Sequence, residues 1–401
     1  RVKAQEGLRI FGGRADTLRV GVVMPMEDRS ADLTQAFFNG VRLAVDEHNG
    51  VRRRYILPPE LQSVRAREVD VFDTADVYGD SLASADGRTT IATPRDTVQV
   101  DSLQIVTEQV GKPEYVAKMF FRSVGQNASS AGAAVDSLIQ MDRVDLIVGP
   151  LFSETARQAG RVAEENRVVL VAPLATFESV SEGRQFVFQV NPTIPTRGRL
   201  MARFAAESLL LKSTGIIHET SDDGAASFAR GFREEAQRIG MQVPYTLTLD
   251  SRRDWSRLPG AFAADSTITD SIRAEAESVY LPITGRNAQG KIQDAMAGLG
   301  RFGTTTRVLG NAQWHDLSVK QEASEVRATY SNDFYVDTAR EGVQSFIRNY
   351  RLLRGETPDD LSVTGQRLAY TGFDVMRFLL QSVEAGRTRP QPEALRSPPR
   401  Y

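Results

Sequence analysis

The sequence predicts two α/β domains, each a parallel sheet covered on both faces by helices. Three observations lead there. Short apolar runs alternate with amphipathic stretches along most of the 401 residues. The runs are unbroken rather than polar-apolar alternating, as in strands buried on both faces. The alternation also comes as two successive series, which at this length means two domains.

The first series opens with a Val-rich strand at 18–24, ending at Pro25. Residues 33–48 follow with 33, 36, 37, 40, 41, 44, 45 and 48 on one mostly apolar face, an amphipathic helix stopped by Gly50. A second strand is expected at 68–72 (EVDVF). Residues 74–130, rich in Asp, Ser, Thr and Gly, break the rhythm. With one β-like run at 97–106, they read as an insertion forming a surface hairpin. The pattern resumes with strand 144–148, helix 154–166, strands 168–172 and 186–190, and helix 197–211. The second series runs through strand 214–218, helix 225–239, strand 243–249, a helix near 255–264, strand 278–281, helix 288–298 and strand 307–310. Helices at 341–353 and 365–385 close the chain before a Pro-bounded stretch to Tyr401, and residues 1–17 read as a leader or linker.

Composition removes several functional classes. Net charge is −2, and the arginines, which far outnumber the six lysines, are scattered, so there is no basic field for nucleic acid or an anionic membrane. Cysteine is absent, which excludes disulfides, thiolate metal sites and cysteine nucleophiles. No apolar run approaches the ~18 residues of a spanning helix. The chain opens at Arg1 without a signal-peptide pattern, which reads as a segment removed from its front.

Motifs for chemistry are equally sparse. Gly298-Leu-Gly300-Arg-Phe-Gly303 matches the dinucleotide fingerprint, but a helix precedes it and a strand follows, the reverse of what a phosphate cradle needs. Helix capping and a turn explain its glycines better. His48, His218 and His315 stand far apart, and no H-E-x-x-H, G-x-S-x-G or G-x-x-x-x-G-K-[ST] occurs. No metal, cofactor or catalytic residue is expected.

What remains is a constellation at strand ends, where open parallel sheets hold ligands. Strand 144–148 runs into Gly149-Pro150-Leu151-Phe152-Ser153, placing Ser153 where the next helix starts. Its hydroxyl and the free amides there suit a carboxylate; the other reading is a plain helix cap. The following strand ends in Ala172-Pro173-Leu174-Ala175-Thr176, offering carbonyls, amides and a second hydroxyl. Together the two turns could hold both ends of a zwitterion.

These residues resemble the type I periplasmic binding proteins of the branched-chain amino-acid receptor family. The resemblance is carried by VGVVMPM…FFNGVRLAVDEHNG, by VDLIVGPLFSETARQAGRVAEENRVVLVAPLATFESVSEG, by FVFQVNPTIPTRGRLMARFA and by AYTGFDVMRFLLQSVEAG, and spans residues 18–400. It implies two doubly wound lobes joined by three crossing strands and closing like a hinge over a small ligand. The implied boundaries are lobe 1 at 18–191 plus 337–390, with the insertion 74–130, and lobe 2 at 192–336. Residues 391–401 would begin a C-terminal segment cut short. The resemblance puts ligand contacts at Ser153, Leu174, Ala175 and Thr176.

Departures from the family pattern matter too. Where amino-acid binders present a tyrosine before a glycine, this chain has Asp223-Gly224. Where the first lobe carries an aromatic residue, it has Leu33. Asp223 is either a partner for a ligand ammonium or a solvated turn residue. Trp314 either lines the ligand site or belongs to the core. The expectation is a non-enzymatic, extracytoplasmic solute-binding protein, free or lipoprotein-anchored, monomeric or weakly dimeric. It would capture an amino-acid-like ligand for a membrane permease or sensor. The alternative is an envelope protein using the same fold to contact cell-wall components, since VGPLFS and FQVNPT also resemble such relatives.

Overall fold

A computed structural model describes residues 17–25, 31–56, 89–92, 97–100, 104–111, 113–125, 128–250, 252–285, 287–300, 307–315, 323–324, 326–332 and 334–386. In chain order the first elements are β1 (Thr17–Met24), α1 (Ala31–His48), β2 (Val51–Ile56), β3 (Thr89–Ala92), β4 (Thr97–Val100), β5 (Gln104–Gln109) and β6 (Val116–Ser123). Then come α2 (Ala128–Gln140), β7 (Leu146–Val148), α3 (Ser153–Glu165), β8 (Val169–Ala172), β9 (Val187–Gln189) and α4 (Ile194–Glu207). The next are β10 (Thr214–Glu219), α5 (Asp223–Ile239), β11 (Thr246–Leu249), α6 (Leu258–Ala264), α7 (Asp270–Ala274), β12 (Ser278–Leu281) and α8 (Ala288–Gly300). The last are β13 (Arg307–Gly310), β14 (Thr329–Tyr330), α9 (Glu341–Arg354) and α10 (Val363–Gly386).

The chain divides into two compact units. One takes in the residues up to Ala175, Ser179–Val190 and everything from Val336; the other takes Thr176–Glu178 and Asn191–Tyr335. Each has its own five-stranded sheet, ordered β6-β1-β7-β8-β9 in the first and β11-β10-β12-β13-β14 in the second. Every pairing within these two sheets is parallel.

The sequence explains why these sheets are buried. In β1, Leu18, Val20, Val22, Val23 and Met24 are all fully buried, since β6 and β7 flank the strand and helices cover it. The covering helix α3 turns Thr155, Ala156, Ala159, Gly160 and Ala163 inward, a stripe of small residues at helical spacing that brings its axis close to the strands. In the second unit, Tyr280 on β12 stacks on Phe232 of α5 at 4.5 Å, and burial raises the tyrosine's pKa far above its usual value.

Both units also pair two helices through glycine. A Cβ on Gly40 of α1 would meet the Ala369 carbonyl of α10 at 2.1 Å, and one on Gly198 of α4 would meet the Phe228 carbonyl of α5 at 2.2 Å. The α4–α5 pair is further tied by Glu235, whose carboxyl accepts from Arg238 and from Arg203 of α4. The Arg238 hydrogen bond leads in holding its pKa down to about 2, and Arg203 adds to it.

Several sequence expectations need correction. The interval 74–130 is not one surface insertion, because β6 lies within it and pairs with β1 over eight residues, and α2 begins at Ala128. β6 is an edge strand whose burial varies residue by residue, so it never reads as an unbroken apolar run. The β-like run 97–106 splits in two: β4 forms an antiparallel hairpin with β3, while β5 pairs antiparallel with β2. The strand expected at 68–72 lies outside the described residues. Gly298 and Gly300 are inside α8 rather than capping it. A Cβ on Gly298 would press on Leu258 at 3.0 Å, so close helix packing accounts for that glycine.

Candidate functional site

In the first unit, β7 and β8 run side by side in register, Val148 opposite Val171, so their two following turns leave the same sheet edge together. The Gly149 amide donates to the Val171 carbonyl at 2.8 Å. Gly149 adopts φ +97°, and a Cβ there would lie 2.1 Å from the Val23 carbonyl oxygen. Only glycine lets the chain pass the end of β1 at this point.

The turn delivers Phe152, not Ser153, to the N-cap of α3. Phe152 has extended backbone, and no side chain caps the helix. Ser153 is half-buried as the first helical residue, which corrects the reading of it as the cap. The Thr155 hydroxyl turns back to donate to the Phe152 carbonyl at 3.0 Å.

After β8, Leu174 is half-buried and Ala175 fully so. The Ala175 methyl packs with Val180 and Val187, and its carbonyl accepts from Gln189 Nε2 at 3.0 Å. Thr176 groups with the second unit; its carbonyl accepts from the Ile194 amide at 3.1 Å. Leu33, in the first turn of α1, is half-buried beside Thr34. The Thr34 hydroxyl is buried with no hydrogen-bond partner.

The second unit's strand ends are built differently. Glu219 closes β10 and is buried. Its Oε2 accepts from Lys291 Nζ of α8 at 2.7 Å, and its Oε1 from the Trp255 indole N–H at 2.6 Å. Lys291 also donates to the Thr284 carbonyl at 3.2 Å and stands 3.9 Å from Asp222. Asp222 is the N-cap of α5: it accepts from the Ala225 amide at 3.0 Å and from the Thr284 hydroxyl at 2.6 Å. Asn311, just past β13, donates to the Ile283 carbonyl at 2.9 Å. Side chains from three places therefore clamp residues 283–284 at the end of β12.

Asp223, by contrast, is exposed on the first turn of α5, one residue beyond the cap that does the bonding. Trp314 is only 1% exposed and packs in the core with Trp255, Ile292 and Val308. A Cβ on Gly310 would lie 2.4 Å from its ring, so Trp314 is a core aromatic and not a side chain lining a surface.

The clamp was missed in the sequence, though a signal was there. Lys291 sits on the face of α8 that buries Ala288, Ile292, Ala295 and Leu299. A lysine on an apolar stripe demands a buried anion, and Glu219 ends the apolar run TGIIHE. Among the described residues there is no group of three or more metal-ligating side chains, and no helix is long and apolar enough to cross a membrane.

Known structures share this architecture. A Rhodospirillum rubrum protein assigned to a branched-chain amino-acid ABC transporter aligns with TM-score 0.60 at 16% identity, covering 95% of this chain and 88% of that one. A leucine-bound ABC transporter substrate-binding protein from Desulfitobacterium hafniense aligns with TM-score 0.53 at 14% identity, covering 95% and 88%. A Rhodopseudomonas palustris solute-binding protein in complex with 4-hydroxybenzoate aligns with TM-score 0.52 at 14% identity, covering 94% and 83%. No curated protein sequence matches. The family model described as periplasmic binding protein matches residues 120–397. With most of its length inside that match and both sheets parallel, the chain belongs to the periplasmic binding protein family.

Proposed function

We infer that the protein is an extracytoplasmic solute-binding protein that captures a small polar, amino-acid-like ligand for an ABC-type transporter or a sensor. Family membership supports the class. The site rests on one observation, the in-register pairing of β7 and β8 that sends the 149–153 and 173–175 turns off the same sheet edge. There the Ser153 hydroxyl and the first-turn amides of α3 suit a carboxylate. The backbone of 174–176, with the Thr176 hydroxyl, suits an ammonium or hydroxyl group. Among similar structures one holds leucine and another 4-hydroxybenzoate. The fold thus accommodates either, and the amino-acid-like reading is drawn from the two turns. The protein acts by binding rather than by catalysis, and a membrane permease is the partner that reads the bound form.

A thermal-shift screen against amino acids, short peptides, sugars and peptidoglycan fragments tests this. A ligand present at about 100 times its dissociation constant adds about 2.7 kcal/mol of stability. The double substitution Ser153→Ala with Thr176→Ala is expected to abolish the shift. A shift that survives both changes removes the site, and no shift in any class removes the function.

A further inference from the structure

The two helices paired in the second unit meet solvent differently. α5 exposes Asp223, Arg230, Arg233, Glu234, Gln237 and Arg238, an entirely polar face. α4 exposes Leu200, Arg203, Phe204 and Glu207, with Leu200 51% and Phe204 41% exposed. Among the described residues no other large apolar side chain stands exposed inside a helix: Val363 is the first residue of α10, and the rest lie on strands or in turns. Leu210, three residues past α4, is 76% exposed and held at φ +56°, a conformation unfavourable for any residue but glycine. Scattered apolar residues are ordinary on a surface, but neighbouring ones on one helix face mark a surface that something covers.

The four exposed positions of α4 fall at i, i+3, i+4 and i+7, the spacing of a helix face that meets another helix. The order of the side chains says which helix. Arg203 and Glu207 are equidistant from position 205, and so are Leu200 and Leu210. An antiparallel copy of α4, turned about a two-fold axis at that level, sets each Arg203 against the other copy's Glu207. It also brings each Leu200 to the level of the other copy's Leu210, with the two Phe204 rings flanking the axis. A parallel copy would oppose like charges. Arg203 donates to Glu235 through Nε, and its guanidinium has further N–H donors for a second carboxylate. One charge of each sign gives an anionic lipid surface nothing to select. A two-fold interface has to complement itself, and this face does.

We propose that the exposed face of α4 is the contact between two copies of this chain, packed antiparallel about a two-fold axis. It lies wholly within the second unit and involves none of the residues assigned to the ligand.

The test is sedimentation velocity of the full chain from about 10 μM to about 1 mM, because one helix face falls short of the ~800 Å² per partner of a stable interface and associates weakly. A reversible shift from monomer to dimer is expected. Leu200→Ser with Phe204→Ser should hold the chain monomeric throughout, whereas Val363→Ser should leave the dimer unchanged. Glu207→Arg, which opposes two arginines, should weaken association several-fold. These side chains are all exposed, so unfolding midpoints near the parent value confirm that each variant folds. Because the chain has no cysteine, its register can be read by cross-linking. In oxidised glutathione, a mixture of Arg203→Cys and Glu207→Cys chains should form disulfide-linked dimers several-fold faster than either variant alone. A chain that stays monomeric at the highest concentration overturns the proposal, as does a dimer that survives the double serine substitution or is unmoved by Glu207→Arg. Cross-linking no faster in the mixture than in the single variants overturns the antiparallel arrangement. The solute-binding reading stands whichever way these results fall.

Discussion

After β7 the chain turns on Gly149 and enters α3 behind Phe152, with no side chain capping the helix. After β10 it turns on Asp222, whose carboxylate caps α5 and also accepts from Thr284, while Glu219 and Lys291 pair beneath it. β7 is the middle strand of its sheet and β10 lies one strand from the edge of its own; the first end is shaped by a glycine turn and the second by buried charge. The first has a glycine, the amide of residue 149 reaching the Val171 carbonyl, and the Thr155 hydroxyl on the Phe152 carbonyl. The second enlists β10, α5, α8 and the residue past β13, which together hold residues 283–284. Preorganised loops of this kind lose little freedom when something binds to them.

The comparison is broken most severely at Lys291. Lys291→Met removes the cation that Glu219 Oε2 faces and leaves a buried carboxylate with only Trp255 for company. The expected loss is about 3–5 kcal/mol, the cost of stranding one partner of a buried pair, read by urea denaturation. Adding Glu219→Gln to the same chain should recover a large part of it, because the uncompensated charge is gone. A loss below 1 kcal/mol, or no recovery in the double variant, would mean that the pair does not hold this strand end.

On the first unit the matching change is Gly149→Ala. A φ of +97° costs an L-residue about 1–2 kcal/mol, and the new methyl would sit 2.1 Å from the Val23 carbonyl, so β1 or the turn must shift. The expected total is roughly 2–4 kcal/mol with the displacement added. Because no charge is involved, the loss should be insensitive to salt and to pH between 5 and 9. A salt-dependent loss would show that the two strand ends are less different than their contacts indicate.

How far the sequence foretold this contrast depends on which physical signal each element carries. β10, β12 and β13 are central or near-central strands, buried on both faces, and their runs TGIIH, SVYL and RVLG are visible as such. β6 is no less a part of its sheet, but at an edge most of its side chains are only partly buried or exposed and VAKMFFRS carries no unbroken signal. β2 hides behind three consecutive arginines. Most helix ends are legible to within a residue or two, although the helix expected at 197–211 runs Ile194–Glu207, and a margin of one residue matters at the site. The sequence offers Ser153 as a ligand hydroxyl or a cap, and the cap position belongs to Phe152; it offers Asp223, whereas Asp222 makes the bonds. The position of Trp314 in the core follows from its contact with Gly310, a pairing across a turn that spacing alone does not show. The Glu219–Lys291 pair spans 72 positions, and no local pattern links residues so far apart.

The smallest effect separates those neighbouring aspartates. Asp222→Asn keeps a cap acceptor for the Ala225 amide but removes the charge facing Lys291 at 3.9 Å, while Asp223→Asn removes only an exposed charge from the first turn of α5. The helix dipole makes an exposed carboxylate at that position worth about 0.3–1 kcal/mol at low ionic strength, and salt screens it. Asp223→Asn should therefore cost a few tenths of a kcal/mol in dilute buffer and nothing measurable at 1 M salt. Asp222→Asn should cost more and keep part of its cost in salt, since its side chain also accepts from Thr284 inside the clamp. If Asp223→Asn proves the more costly of the two, or if its effect persists in high salt, Asp223 does more than complement the helix. The second unit's charged strand end would then extend one residue further toward solvent than the contacts among Glu219, Asp222, Thr284 and Lys291 indicate.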